Sequence, residues 1–231
     1  MFETLSAPRL QVAFNALRQA LPVAHPTAPK QFYALHDLQA AFTALQRPLK
    51  EARGQGGLIN VWALAGLGHD EVRNAAVLAG LWMSEFGGEA SRNFLISYLS
   101  NAIPSVNWNA ELEPGYRIET EVCPLGDAAD RVDLVVETTS YLIGVEVKIR
   151  AGLGREQLER YTASIHRRAE FQELVPRVLL LAPFNTRLAT VSSTTWQDVG
   201  RAALAAVSRR AADRSFVEHL IARFADHIRT F

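Results

Sequence analysis

The sequence predicts an α/β fold, with a mixed central sheet flanked by helices and an N-terminal helical extension. Three observations predict it. Residues 131–149 alternate apolar and other side chains as two strands about the short polar turn Thr138-Thr139-Ser140. A helically spaced segment follows, and after it the apolar run Arg177 to Leu181 has the pattern of a strand covered on both faces. Strands joined as hairpins run antiparallel, whereas a strand reached through a helix can lie parallel, so the sheet is mixed.

Composition bounds the function. With 231 residues and 48% hydrophobic side chains the chain can bury a sizeable core. Cys123, the single cysteine, excludes an internal disulfide and a cysteine-rich zinc site. No apolar run is long enough to span a bilayer and no signal-peptide pattern opens the chain, so a cytoplasmic protein is expected. The formal net charge is zero, but residues 1–146 carry 10 basic and 16 acidic residues (−6) and residues 147–231 carry 14 and 8 (+6). A basic C-terminal half can guide a phosphate backbone toward an acidic centre, although solvated helix faces give the same counts. Among the 24 cationic side chains only Lys30, Lys50 and Lys148 are lysines. A lysine inside a strand pair, in a chain that otherwise uses arginine, points to a place where a compact cation with a movable pKa is required.

Residues 1–55 are expected to form a helical extension and residues 56–231 the main domain. Leu10, Val12, Phe14, Leu17 and Leu21 are amphipathic, Leu21 to Lys30 is a linker, and Leu35, Leu38, Phe42 and Leu45 repeat helically up to Pro48. This extension suits a lid on the domain's own core, or a surface for homodimerisation or a partner. Arg53-Gly-Gln-Gly-Gly57 lacks the lysine and hydroxyl of a P-loop and reads as an ordinary loop. His69 to Phe86 reads as one helix ended by Gly87-Gly88, with Val72, Ala75, Ala76, Ala79, Trp82, Met83 and Phe86 as its buried stripe, and Ser91 to Leu99 as the next. Asn101 to Gly115 reads as irregular and Tyr116 to Cys123 as a strand. A helix from Arg155 to about Arg168 puts Gln157 and Tyr161 one turn apart on one face. Thr194 or Thr195 caps a helix starting at Trp196, and Phe216 to Ile228 forms the last.

Asp133, Glu146 and Lys148 project from neighbouring apolar strands, where burying charge is costly unless the groups pair or hold a metal. Asp133 followed by Glu146-Val147-Lys148 resembles the signature of the PD-(D/E)XK nuclease superfamily, with valine at position 132 in place of the proline. Gln157-Leu-Glu-Arg-Tyr161 is similar to the glutamine–tyrosine helix motif of its exonuclease-like branch, and Glu71 to Leu99 resembles a branch with an upstream, helix-borne glutamate. The resemblance implies a restriction-endonuclease-like core over roughly residues 58–231. It also implies Mg²⁺ or Mn²⁺ held by Asp133, Glu146 and the Val147 carbonyl, with Lys148 orienting water and stabilising charge. By the same resemblance Glu71 is the candidate for the additional acid, which would bind a second metal ion or a metal-bound water, in competition with Glu119 and Glu121, and Gln157 and Tyr161 would contact the scissile phosphate or orient Lys148. His69 is either a further ligand or an ordinary surface histidine. The expected activity is hydrolysis of nucleic acid, DNA ahead of RNA, in bacterial defence, repair or a mobile element. The alternative is a catalytically inactive nuclease-like fold that binds nucleic acid or protein.

Overall fold

A computed structural model describes residues 34–54, 56–122, 132–150, 152, 156–186 and 188–231, without the side chains of residues 121 and 122. The helix and linker expected over residues 10–30, Cys123 and the Glu121 side chain therefore lie outside the described residues. The chain divides into two compact units, residues 1–58 and 59–231.

In the first unit α1 (Leu35–Gly54) runs past Pro48, where a stop was expected, and takes in Arg53 and Gly54 from the expected loop. Proline's fixed φ suits a helix, and the cost is its own missing amide bond and a clash one turn back. None of the residues of α1 is buried.

The second unit begins with α2 (Val61–Leu64), capped by the Asn60 side chain, and α3 (Glu71–Trp82), capped by Asp70. The single helix expected from His69 to Phe86 breaks at Met83, which ends α3 and starts α4 (Ser84–Ala102). The Trp82 carbonyl, which the break removes from the helix ladder, accepts instead from the Tyr116 hydroxyl at 2.6 Å. The buried stripe shifts accordingly to Asn74, Ala75, Leu78, Ala79, Leu81 and Trp82, while Val72, Ala76 and Phe86 are exposed. Gly88, at φ 57° and ψ −138°, bends the start of α4, and the helix expected from Ser91 continues with Phe94, Leu95, Tyr98 and Leu99 buried. The short helix α5 (Trp108–Glu111) lies in the stretch expected to be irregular, nucleated by the Asn107 side chain.

The sheet has strand order β1 (Arg117–Val122), β2 (Val132–Glu137), β3 (Tyr141–Val147), β4 (Val175–Leu181), β5 (Val191–Thr194). The first three pair antiparallel and the last three parallel, so the sheet is mixed as expected. The crossover from β3 to β4 is α6 (Gln157–Phe171). The fifth strand was not anticipated: Val-Ser-Ser-Thr is short and polar, and its pairing with β4 decides its conformation. Thr195, rather than Thr194, then caps α7 (Trp196–Ala205) in a reciprocal box with Asp198.

Alternation along the strands divides the core. Leu134, Val136, Ile143, Val145, Val147, Leu179 and Leu181 face α3, α4, α7 and the last helix, α8 (Phe216–His227). Val135, Leu142, Val178 and Leu180 face α6. That helix lies so close over Gly144 that a Cβ there would come within 2.6 Å of Ile165, which fixes α6 along β3 and with it the position of Gln157.

Helix α8 is held at its start by Glu218, whose carboxylate accepts from the Ser215 amide at 2.7 Å and from the Ser208 amide at 2.7 Å and hydroxyl at 2.8 Å. These bonds, led by the Ser215 amide, lower its pKa from 4.5 to about 2. The stabilisation is present above about pH 4.5 and is lost as pH falls toward 2. Glu218→Gln should therefore lower Tm at pH 7 by an amount that shrinks below pH 4.5. Thermal melts across that range check this; a deficit independent of pH would contradict the carboxylate's role.

Candidate active site

The catalytic candidates converge at the carboxyl end of β3, where the antiparallel and parallel halves of the sheet meet. Asp133 immediately precedes Leu134 and Glu146 immediately follows Val145, the last pair of the antiparallel β2–β3 register. Its Oδ2 accepts from the Val147 amide at 2.8 Å, which ties the start of β2 to the end of β3. Lys148 follows directly on β3. Its amide donates to the Leu181 carbonyl at 2.8 Å, and its own carbonyl accepts from the buried Trp196 indole at 2.9 Å. With its backbone held on both sides, the lysine places Nζ 2.6 Å from Glu146 Oε1.

Two helix N-termini close the cluster. Glu71, the first residue of α3, has Oε2 3.9 Å from Lys148 Nζ, and its Oε1 accepts from the amides of Ile149 at 2.8 Å and Arg150 at 3.2 Å. From α6, Gln157 Nε2 donates to Glu146 Oε1 at 2.9 Å and to the Tyr161 hydroxyl oxygen at 2.8 Å. Of the six side chains expected to act together, Glu71, Lys148, Glu146, Gln157 and Tyr161 are thus joined one to the next, and Asp133 is tied to the same strand end through the Val147 amide. Glu119 stands apart from it, paired with Arg117 at 3.2 Å and Arg168 at 3.1 Å. The position of Glu119 leaves Glu71 as the additional acid nearest Lys148 among the described side chains.

Glu146 is 1% exposed, and among the described residues its buried Oε2 has no hydrogen-bond partner. Burial pushes its carboxyl up to about 7; the Asp133 and Glu71 carboxylates add to the rise and Lys148 opposes it. Burial works against the Lys148 ammonium, but its bond to Glu146 and the charges of Glu146, Asp133 and Glu71 outweigh that, and its pKa lies above the ordinary lysine value. Burial also raises Tyr161, which keeps its phenol neutral and able to donate. Three carboxylates against one ammonium leave the centre with excess negative charge, which a divalent cation would offset. Among the described residues no group of three or more histidine, cysteine or acidic side chains is drawn together tightly enough to cage an ion. The arrangement is instead two facing carboxylates, one with an unsatisfied oxygen, suited to an ion that keeps part of its water shell.

Sequence reasoning left His69 open and did not single out Arg150 or Trp196. His69 is half-buried, its ring 5.0 Å from that of Phe231, and its Nε2 lies 3.2 Å from Arg150 Nη2. Arg150 directly follows the strand-end lysine segment in a basic half of the chain, but one arginine among 21 carries no signal of its own. The Trp196 indole reaches Lys148 across 48 positions, which no local pattern announces.

No described helix is long and apolar enough to cross a membrane. No curated protein and no solved structure gives a significant match to the chain. A family model described as the PD-(D/E)XK nuclease superfamily matches residues 59–212, well over half of the chain and all of the sheet. With that match, a five-stranded mixed sheet between helices and the acidic-x-lysine strand end, the chain belongs to the PD-(D/E)XK nuclease superfamily and has its restriction-endonuclease-like α/β fold.

Proposed function

We propose that this chain is a Mg²⁺- or Mn²⁺-dependent nuclease that hydrolyses phosphodiester bonds, with DNA as its substrate, in bacterial defence, repair or a mobile element. The observation that carries this reading is the buried, unsatisfied Glu146 Oε2 beside Asp133, in a chain of a nuclease superfamily. An oxygen of that kind is costly to leave unpaired, and a hard divalent cation satisfies it while relieving the repulsion between the two carboxylates.

Asp133, Glu146 and the Val147 carbonyl would hold the ion, with Glu71 the donor nearest a second one. When bound, the ion supplies positive charge against the charge that builds on the phosphate. Lys148, kept protonated by its acidic neighbours, orients the attacking water and stabilises the transition state; it does not begin as a base. Gln157 holds the Glu146 oxygen that pairs with Lys148, and the neutral Tyr161 hydroxyl, held by the same amide, donates toward the scissile phosphate.

Cleavage of plasmid and single-stranded DNA in Mg²⁺ and Mn²⁺ tests this. Lys148→Ala and Asp133→Ala should each lower the rate about 100-fold or more, as removal of a preorganised charge-stabilising group does. A wild type that cuts nothing with either ion, or variants that cut as fast, would sink the catalytic reading.

A second test needs no substrate. Because the Glu146 carboxyl is raised from 4.5 to about 7, the stability that its protonated form gives the metal-free protein is lost as pH rises through that range. Glu146→Gln should raise the metal-free Tm at pH 8 and change it little at pH 5. Excess Mn²⁺ should reverse the order at pH 8 by stabilising the wild type alone. A wild-type Tm indifferent to Mn²⁺ would count against the ion.

A further inference from the structure

Arg150 stands at the rim of the acidic centre and takes no part in the chemistry set out above. Its amide is pinned to Glu71 Oε1 at 3.2 Å, next to the Ile149 amide at 2.8 Å on the same oxygen. The backbone at this point is therefore fixed, two residues beyond Lys148. The side chain is exposed, and its Nη2 meets His69 Nε2 at 3.2 Å. A guanidinium only donates, so His69 is the acceptor, with its ring set against Phe231. That bond aims the guanidinium without neutralising it, and among the described residues no carboxylate forms an ion pair with the Arg150 side chain. The other arginines near acidic groups behave differently: Arg117 and Arg168 are both spent on Glu119 and Glu137.

An exposed, aimed guanidinium beside a centre of excess negative charge suits a polyanion's approach. The acidic cluster repels the backbone of any nucleic acid, and Lys148 is already engaged with Glu146 and Glu71. The planar fork of arginine binds two phosphate oxygens at once, and the bond to His69 engages one of its five N–H donors.

We infer that Arg150, aimed by His69, forms a phosphate-binding subsite that takes a backbone phosphate flanking the scissile one. The inference rests on the reading that this chain binds nucleic acid, and it assigns a positioning role: Arg150 holds the strand in register, and the reacting atoms belong to the centre beside it.

The test uses the full chain in EDTA, where nothing is cut, with fluorescein-labelled duplex and single-stranded oligonucleotides titrated by anisotropy over a range of salt. Arg150→Gln should bind about tenfold more weakly near ~0.1 M salt and lower the slope of log affinity against log salt by about one, the signature of one lost phosphate contact. Arg150→Lys should keep the slope and lose part of the affinity, because the charge stays and the fork goes. His69→Ala should keep the slope and weaken binding less than Arg150→Gln. A purely structural arginine would lower Tm and leave the slope unchanged, and that result, or Arg150→Gln binding like wild type, overturns the inference while wild-type cleavage in Mn²⁺ still upholds the nuclease reading. If Arg150→Gln melts below the assay temperature, Arg150→Lys decides, and unchanged affinity there overturns the subsite. A wild type that neither binds nor cuts removes the nuclease reading, and the subsite with it.

Discussion

The carboxylate of Glu146 and the ammonium of Lys148, 2.6 Å apart at the end of a buried strand, are the constraint on which the rest of the site depends. Removing such a pair from water costs several kcal/mol per ion, and their attraction repays this only when every remaining donor and acceptor is matched. Here the match is incomplete. Gln157 and Lys148 share one Glu146 oxygen, and among the described residues the other has no partner. A buried acid left in this state is costly to stability.

Much of the surrounding architecture holds that pair in place. The Trp196 indole and the Leu181 carbonyl grip the Lys148 backbone from the start of α7 and the end of β4. Asp133 binds the Val147 amide across the hairpin, and Glu71 binds the two amides that follow Lys148. The acidic groups thus serve as backbone anchors as well as candidate ligands. Close packing of Ile165 over Gly144 brings the first turn of α6 to the same point from the other face of the sheet. Five elements, α7, β4, β2, α3 and α6, therefore converge on the end of β3, at the place where the sheet changes from antiparallel to parallel.

How much of this was legible depends on the range over which each signal acts. The two-residue period revealed β2, the turn and β3, because successive side chains of a strand point to opposite faces of the sheet. The one-turn spacing of Gln157 and Tyr161 placed them together before any packing was known, whereas the start of α3 lies two residues beyond the expected His69, where the Asp70 side chain caps it. The break at Met83 was hidden, because helical spacing runs on through Phe86 while a distant tyrosine, Tyr116, supplies the bond that makes the break tolerable. The strand Val191–Thr194 was hidden for the same reason: four residues carry too little pattern, and only an apolar neighbour with open backbone groups turns them into sheet.

The site divides in the same way. Sequence by itself determined the α/β class, the hairpin that carries Asp133, Glu146 and Lys148, and the helical face shared by Gln157 and Tyr161, since each follows from periodicities of two or 3.6 residues within one or two elements. Only the tertiary structure decided that Glu71, rather than Glu119, stands beside Lys148, that Trp196 holds the lysine backbone, that one Glu146 oxygen is left unsatisfied, and that His69 aims Arg150 along the rim. Three of those facts join residues tens of positions apart, and the distances that create them are set by how helices pack on the two faces of the sheet, a property that no local spacing encodes.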